Sequence, residues 1–283
     1  MKPFAIIGIL LALGVTAAGW GYLKHQREAL NLRDRVAMGR PPDDRRLTRI
    51  DTAGLPAPVA RYLLLALGER PPPPTTVEIH QSGRLRTDES ADRWMKFRAV
   101  HLASPAACSF SWDARVRLAP LIHLRVMDSL IDGQGSGRIV LQSVLEIAGE
   151  GGTHEMNSGA LHRYLAEAVW YPWALMPGNH LSWTAIDERR SLATLSCGAV
   201  SVSLEFRFDE DGTVAAIHTP ARWGRFDSHF EQRPWEGHFS GYRRRDGILV
   251  PGSGEAGWYR DGQLRIVWQG TVDDFMGPGS ASR

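Results

Sequence analysis

VSVSLEFRFDEDGTVAAI, from Val200 to Ile217, decides the fold class. Val200, Val202, Leu204, Phe206 and Phe208 alternate with Ser201, Ser203, Glu205 and Arg207. That period of two places one apolar row on a single strand face. Asp211-Gly212 follows, and then a second extended run. Asp-Gly suits a tight reversal, because Gly has no Cβ to clash at positive φ and Asp tolerates the left-handed region. The pair recurs at Asp246-Gly247 in YRRRDGILVP and at Asp261-Gly262 in WYRDGQLRIVW. Three such turns within about 50 residues predict an antiparallel meander.

Working outward, extended runs are expected at Thr75–His80, Trp94–Leu102, Cys108–Arg115, Val116–Val126, Gly137–Ile147, Leu181–Ile186 and Ser191–Ser196, with a further turn at Asp132-Gly133. Two helices punctuate them. PAPVARYLLLALG (Pro56–Gly68) has Pro58 in its first turn and Gly68 as its stop. The second is expected from Ser158, as N-cap, to Tyr171, with Leu161, Leu165, Ala168 and Val169 on one face and Pro172 ending it. An amphipathic helix among antiparallel strands needs a sheet to cover its apolar stripe. The class is therefore α+β. Pro71–Pro74 reads as a stiff spacer, residues 55–275 as one domain, and 276–283 as a flexible tail.

The N-terminus carries 21 uncharged residues, PFAIIGILLALGVTAAGWGYL (Pro3–Leu23). As a helix this spans roughly 30 Å, the thickness of a bilayer's hydrocarbon core. Residues 1–23 are expected to be a transmembrane anchor, with Trp20 and Tyr22 at the interface; the competing reading is a cleaved signal peptide with Thr16-Ala17-Ala18 near the cut. Residues 24–54 read as a basic juxtamembrane tether, since Lys24–Arg49 holds eight Lys/Arg against four Asp/Glu. That bias argues for a cytoplasmic side, whereas a short N-terminal tail before one apolar run is how exported proteins also begin.

A net charge of +2 is too small for a generic nucleic-acid binder. The ten histidines are scattered without HxH or HExxH spacing, so no metal is expected. DGQGSG (Asp132–Gly137) has neither phosphate-loop nor dinucleotide spacing, so no cofactor is expected; Gly135-Ser136-Gly137 and Gly252-Ser253-Gly254 are too short for a nucleophile elbow. Cys108 and Cys197 are either both free and buried or paired with each other.

Candidate site residues fall in three short runs. Arg163 and Glu167 stand four apart on the second helix, just before Trp170, and form either a pocket-facing or an exposed pair. In WDAR, Asp113 and Arg115 share the strand face opposite Trp112; they could orient a polar head or be a surface ion pair. In PWEG, Glu236 and His238 share a face, as an acid/base couple or as a solvated side with Trp235 turned inward. The sequence expectation is that Trp112, Asp113, Arg115, Arg163, Glu167, Trp170, Trp235 and Glu236 converge on one cavity.

RYLAEAVWYPWALMPG (Arg163–Gly178), with WDAR (Trp112–Arg115) and PWEG (Pro234–Gly237), resembles an uncharacterised family of bacterial proteins over about Leu55–Phe275. The resemblance implies a shared site or core and brings no activity. The layout also resembles the strongly curved half-barrel of periplasmic lipoprotein carriers, which wraps a sheet around helices and holds acyl chains. Together these imply a domain outside the cytoplasm on a bacterial inner membrane. The leading expectation is a membrane-anchored binding protein for an apolar or amphipathic, lipid-like molecule held between sheet and helix. The alternatives are a hydrolase or isomerase using Glu167, Glu236 or His238 as general base, and a structural envelope protein without a ligand.

Overall fold

A computed structural model describes residues 3–39, 52–68, 74–87, 92–178 and 180–277, with side chains from residue 14 onward. Helices α1 (Pro3–Ala37) and α2 (Ala57–Leu67) come first. A run of hairpins follows: β1 (Val77–Leu85), β2 (Met95–Ser104), β3 (Ser109–Ala119), β4 (Ile122–Ile131), β5 (Gln134–Leu141) and β6 (Leu145–Gly151). Helix α3 (His154–Glu167) and two 3-10 turns, Ala168–Trp170 and Pro172–Leu175, lead to the second run. That run is β7 (Leu181–Ala185), β8 (Arg190–Cys197), β9 (Val200–Phe208), β10 (Val214–Phe226) and β11 (His229–Ser240), then the small hairpin β12 (Arg243–Arg245) and β13 (Ile248–Val250), then β14 (Ser253–Arg260) and β15 (Gln263–Met276).

Thirteen strands of the described chain form one sheet in the order β6-β5-β4-β3-β2-β1-β15-β14-β11-β10-β9-β8-β7, and every neighbouring pair is antiparallel. The two runs join where β1 pairs with β15, and β12–β13 stands apart as a two-stranded ribbon. Helix α3 packs against β5 on one side and β9 and β10 on the other. Strands β5 and β9 are nine places apart in the order, roughly 40 Å in a flat sheet at about 4.8 Å per strand. One helix touches both only because the sheet curls around it. The result is a half-barrel with α3 on its concave side, as the sequence predicts.

The Asp-Gly turns behave as expected at three of four positions, where both residues have positive φ: Asp132 and Gly133 (54° and 74°), Asp246 and Gly247 (47° and 82°), and Asp261 and Gly262 (51° and 75°). At the fourth only Gly212 does, while Asp211 Oδ1 accepts from the Thr213 amide (2.9 Å) and hydroxyl (2.7 Å).

Two expected strands are each two strands. Val116–Val126 reverses at Pro120-Leu121, and Gly137–Ile147 reverses at Gln142-Ser143-Val144. Their positive φ is carried by Leu121, Gln142 and Ser143 instead of glycine. Helix α3 begins a turn earlier than expected, capped by Thr153, whose Oγ1 accepts from the Met156 amide (3.2 Å); Ser158 lies inside the helix and is buried. Helix α2 agrees with its expected bounds and puts Val59, Tyr62, Leu63 and Ala66 into the core beside Leu165, Tyr171 and Phe206.

The N-terminal helix continues well past the apolar run. Residues 24–37, expected as tether, are helical and lie on the outer face of β2, β3 and β4. Gly21, His25, Ala29 and Val36 are buried at one side of it, with Ala29 against Met127 and Val140, and Val36 against Leu102 and Ile131. Gly21 sits so close to the Val144 carbonyl that a Cβ there would lie 2.6 Å away, which requires glycine at this crossing. Among the described residues no helix is long and apolar enough to cross a membrane. The expected span falls partly on residues 3–13, whose side chains lie outside the description, as do residues 40–51 of the tether, 71–73 of the spacer and 278–283 of the tail.

Cys108, in the β2–β3 turn, and Cys197, at the end of β8, are both free but only half-buried, not buried as expected, and they share a hydrogen bond. That bond, together with burial, pushes the Cys108 thiol up, and the same bond holds Cys197 down at about 7.

Candidate ligand-binding site

A cavity of about 460 Å³ lies between the concave sheet face and α3. Alternation along the strands decides what enters it. On β3, Trp112 and Val116 point inward; on β4, Leu124, Val126 and Asp128 do; on β14 and β15, Trp258 and Trp268 do. Five of the chain's ten tryptophans wall it: Trp112, Trp170, Trp235, Trp258 and Trp268. Leu85, Met95, Ile139 and Ile217 supply further apolar surface.

A charged cluster interrupts this lining. Arg163, one turn before the end of α3, donates from Nε to Glu167 Oε1 (2.9 Å) and from Nη1 to Asp128 Oδ2 (2.7 Å). Its guanidinium lies 4.7 Å from the Trp112 ring centroid and 5.2 Å from that of Phe110. Burial disfavours the Arg163 charge, but Glu167 and Asp128 outweigh it and hold the group above its ordinary value. Burial pushes the Asp128 carboxyl up, against the pull of Arg163. Behind this pair stands His101, fully buried and stacked between Phe110 and Tyr171, with ring centroids 5.5 and 5.8 Å away. Its Nδ1 approaches Glu167 Oε2 at 3.4 Å without the alignment of a hydrogen bond, so Oε2 and both ring nitrogens lack hydrogen-bond partners. Burial drives His101 down to about 4, which keeps it neutral at neutral pH.

A second arginine enters from the opposite half of the sheet. Arg222 follows a register shift in β10 between Thr219 and Arg222, and that irregularity turns it inward. Its guanidinium lies over Trp235 (4.6 Å) and Trp258 (5.3 Å), and its Nη2 donates to the Gly159 carbonyl (3.2 Å). Arg222 as a whole is half-buried, yet its Nε is shut off from solvent and has no acceptor. Burial, and then repulsion from Arg163, bring it down to about 10.

Of the eight residues expected to converge, Trp112, Arg163, Glu167, Trp170 and Trp235 line this cavity. The other three do not. Asp113 is on the outer face beneath α1, where Arg125 grips it through Nε (2.8 Å) and Nη2 (2.6 Å) and reaches the His25 carbonyl (3.4 Å). Arg115 does not pair with Asp113; it lines an outer groove with Arg84, Lys96, Arg98 and Arg117. Glu236 does meet His238, at 2.7 Å, but on the outer face of β11, where it also accepts from Arg207 (3.0 Å) and Tyr259 (3.1 Å). Burial works against its charge, while His238 and Arg207 hold its carboxyl below the usual range. The acid/base alternatives Glu236 and His238 are thus separated by the sheet from Glu167.

Asp128, His101, Arg222, Trp258 and Trp268 belong to the site although no sequence motif singles them out. For Asp128 there was a signal: it interrupts the inward row Leu124, Val126, Leu130. For Arg222 there was none, because its orientation comes from the irregularity in β10.

No curated protein matches the chain. Among solved structures, a LolA-superfamily protein from Nitrosomonas europaea aligns at 8% identity with a TM-score of 0.41, covering 79% of this chain and 93% of that one. A β-barrel-like protein of domain of unknown function DUF1849 from Brucella abortus aligns at 10% identity with a TM-score of 0.23, covering 71% and 96%. A family model matches residues 45–270, and the chain belongs to that family of unknown function, DUF6544.

Proposed function

We propose that this protein binds an apolar or amphipathic molecule in the cavity between the curled sheet and α3. The observation that carries the reading is the wall itself: about 460 Å³ lined by five tryptophans and aliphatic side chains, with a small charged cluster among them. A ligand pocket of roughly 300–1,000 Å³ is built this way, with broad apolar surface for affinity and few polar groups for orientation. A structural core would have closed this volume, because protein interiors pack to crystal-like density.

Membrane anchoring belongs to the same proposal. It is supported by the uncharged run Pro3–Leu23 and by the direction of α1. The helix passes Val144 in the β5–β6 turn at Gly21, and the chain just past its end approaches Ala107 in the β2–β3 turn at Gly39, so its apolar half extends beyond the end of the sheet where β3 meets β4. The residues at that end include Leu121 in the β3–β4 turn, 95% exposed, and Leu145 at the start of β6, 60% exposed. An anchor leaving from this end would direct those apolar tips at the bilayer, with the globular part outside the cytoplasm.

Native mass spectrometry of the purified full chain tests the binding reading. A co-purifying amphiphile at one per chain, lost on organic extraction, is expected. A chain that carries nothing and takes up no added amphiphile contradicts it.

A further inference from the structure

We propose that Arg222 is the anchor for an anionic head group, so that the ligand is a single-chain amphiphile ending in a carboxylate or phosphate. The inference rests on the binding reading above and specifies its polar end. Arg163 is already matched, because Asp128 and Glu167 both bond to it directly. Arg222 has no such bonded carboxylate; Glu167 and Asp128 act on it only at longer range. It lies over the Trp235 and Trp258 rings, uses Nη2 on one backbone carbonyl, and leaves Nε buried without an acceptor. No carboxylate among the described residues forms an ion pair with it.

A buried donor without an acceptor, on a half-buried cation, is costly until an anion meets it. The planar guanidinium fork fits carboxylate and phosphate oxygens, and a charge-assisted bond in this dry setting is stronger than one in water. The surroundings suit the rest of such a molecule, since Trp170, Trp268, Leu85 and Met95 line the same cavity; of its other cations, Arg163 is held by Asp128 and Glu167, and Arg86 donates to the Ile266 carbonyl. The depressed value of Arg222, about 10, still leaves it charged at neutral pH.

The test is a competition. The full chain in phosphatidylcholine nanodiscs is incubated with equimolar oleate, oleyl phosphate and oleyl alcohol, and the retained species are read by native mass spectrometry. The two anions are expected to be retained at least about tenfold over the alcohol, the scale of one charge-assisted hydrogen bond. Arg222→Gln should bring that preference to about unity while the alcohol stays bound, and Arg222→Lys should keep part of it. Equal retention of alcohol and anions by the wild type overturns the proposal and leaves the binding reading standing. Retention of none of the three overturns both. Displacement of the amphiphiles by inorganic phosphate alone marks a free-anion site and also overturns the proposal. Should Arg222→Gln fail to fold, the wild-type ratio decides the question by itself.

Discussion

The inner and outer faces of the sheet use the same residue types for different ends. Inside, Arg163, Glu167 and Asp128 form a cluster among tryptophans, with the neutral His101 behind it. Outside, Arg125 and Asp113 form a bidentate pair that fastens α1, and Glu236 gathers His238, Arg207 and Tyr259 on β11. In WDAR and in PWEG, one motif feeds both faces, with the tryptophan inward and the acid outward. Proximity in sequence along a strand therefore separates side chains across the sheet. Burial alone does not rank them, since Arg125 and Glu236 outside are 9% and 8% exposed while Arg163 and Glu167 inside are 19% and 13%. What differs is that Arg163 is shared by two carboxylates and lies against aromatic rings.

The difference can be broken experimentally, beginning where the effect is largest. Arg163→Ala removes the shared partner of Glu167 and Asp128 and the cation over Trp112. A loss of about 3–5 kcal/mol in urea unfolding is expected, the range for breaking a buried pair on one side. An unchanged midpoint would mean that the cluster is solvated and the two faces are alike.

Acid should act next, through two buried histidines, His101 on β2 and His162 on α3. Burial holds His101 at about 4, and burial with Arg222 nearby holds His162 at about 4, against an unfolded value of 6.5. Because these folded values are depressed, the unfolded chain takes up more protons between pH 6.5 and 4, so the stabilisation is present above 6.5 and is lost as pH falls through that window. Each histidine should cost about 2 kcal/mol between pH 7 and pH 5. Unfolding midpoints for wild type and His101→Phe across that range check this, and the variant should flatten the curve. Equal slopes for the two proteins would remove His101 from the account.

The outer face should yield smaller effects and should itself divide. Asp113→Ala leaves Arg125 without its carboxylate beneath α1, and about 1–2 kcal/mol is expected, with faster amide exchange in residues 25–36. Glu236→Gln keeps shape and loses charge against two partners that are each 38% exposed. Less than about 1 kcal/mol is expected. A Glu236 effect as large as that of Arg163 would sharpen the comparison into its opposite.

The fold was legible where chemistry is local. Asp-Gly turns need positive φ and announce it, and the Val200–Phe208 alternation announces its own face. The turns at Leu121 and at Gln142-Ser143 were not legible, because ordinary residues are held there at positive φ by the strands they join. The site was half legible. Alternation already set Trp112 against Asp113 and Trp235 against Glu236, so grouping all of them around one cavity contradicted the period of two that identified the strands. Arg222 lay beyond reach, since its inward direction depends on an irregularity in pairing that no residue pattern marks.

Quenching of tryptophan fluorescence by a brominated acyl chain tests the central claim most directly. Bromine quenches at short range, and five of the ten tryptophans wall the proposed site. Saturable quenching at one chain per protein, diminished by an unbrominated competitor, is expected. Quenching that rises linearly with added amphiphile and ignores the competitor would contradict it.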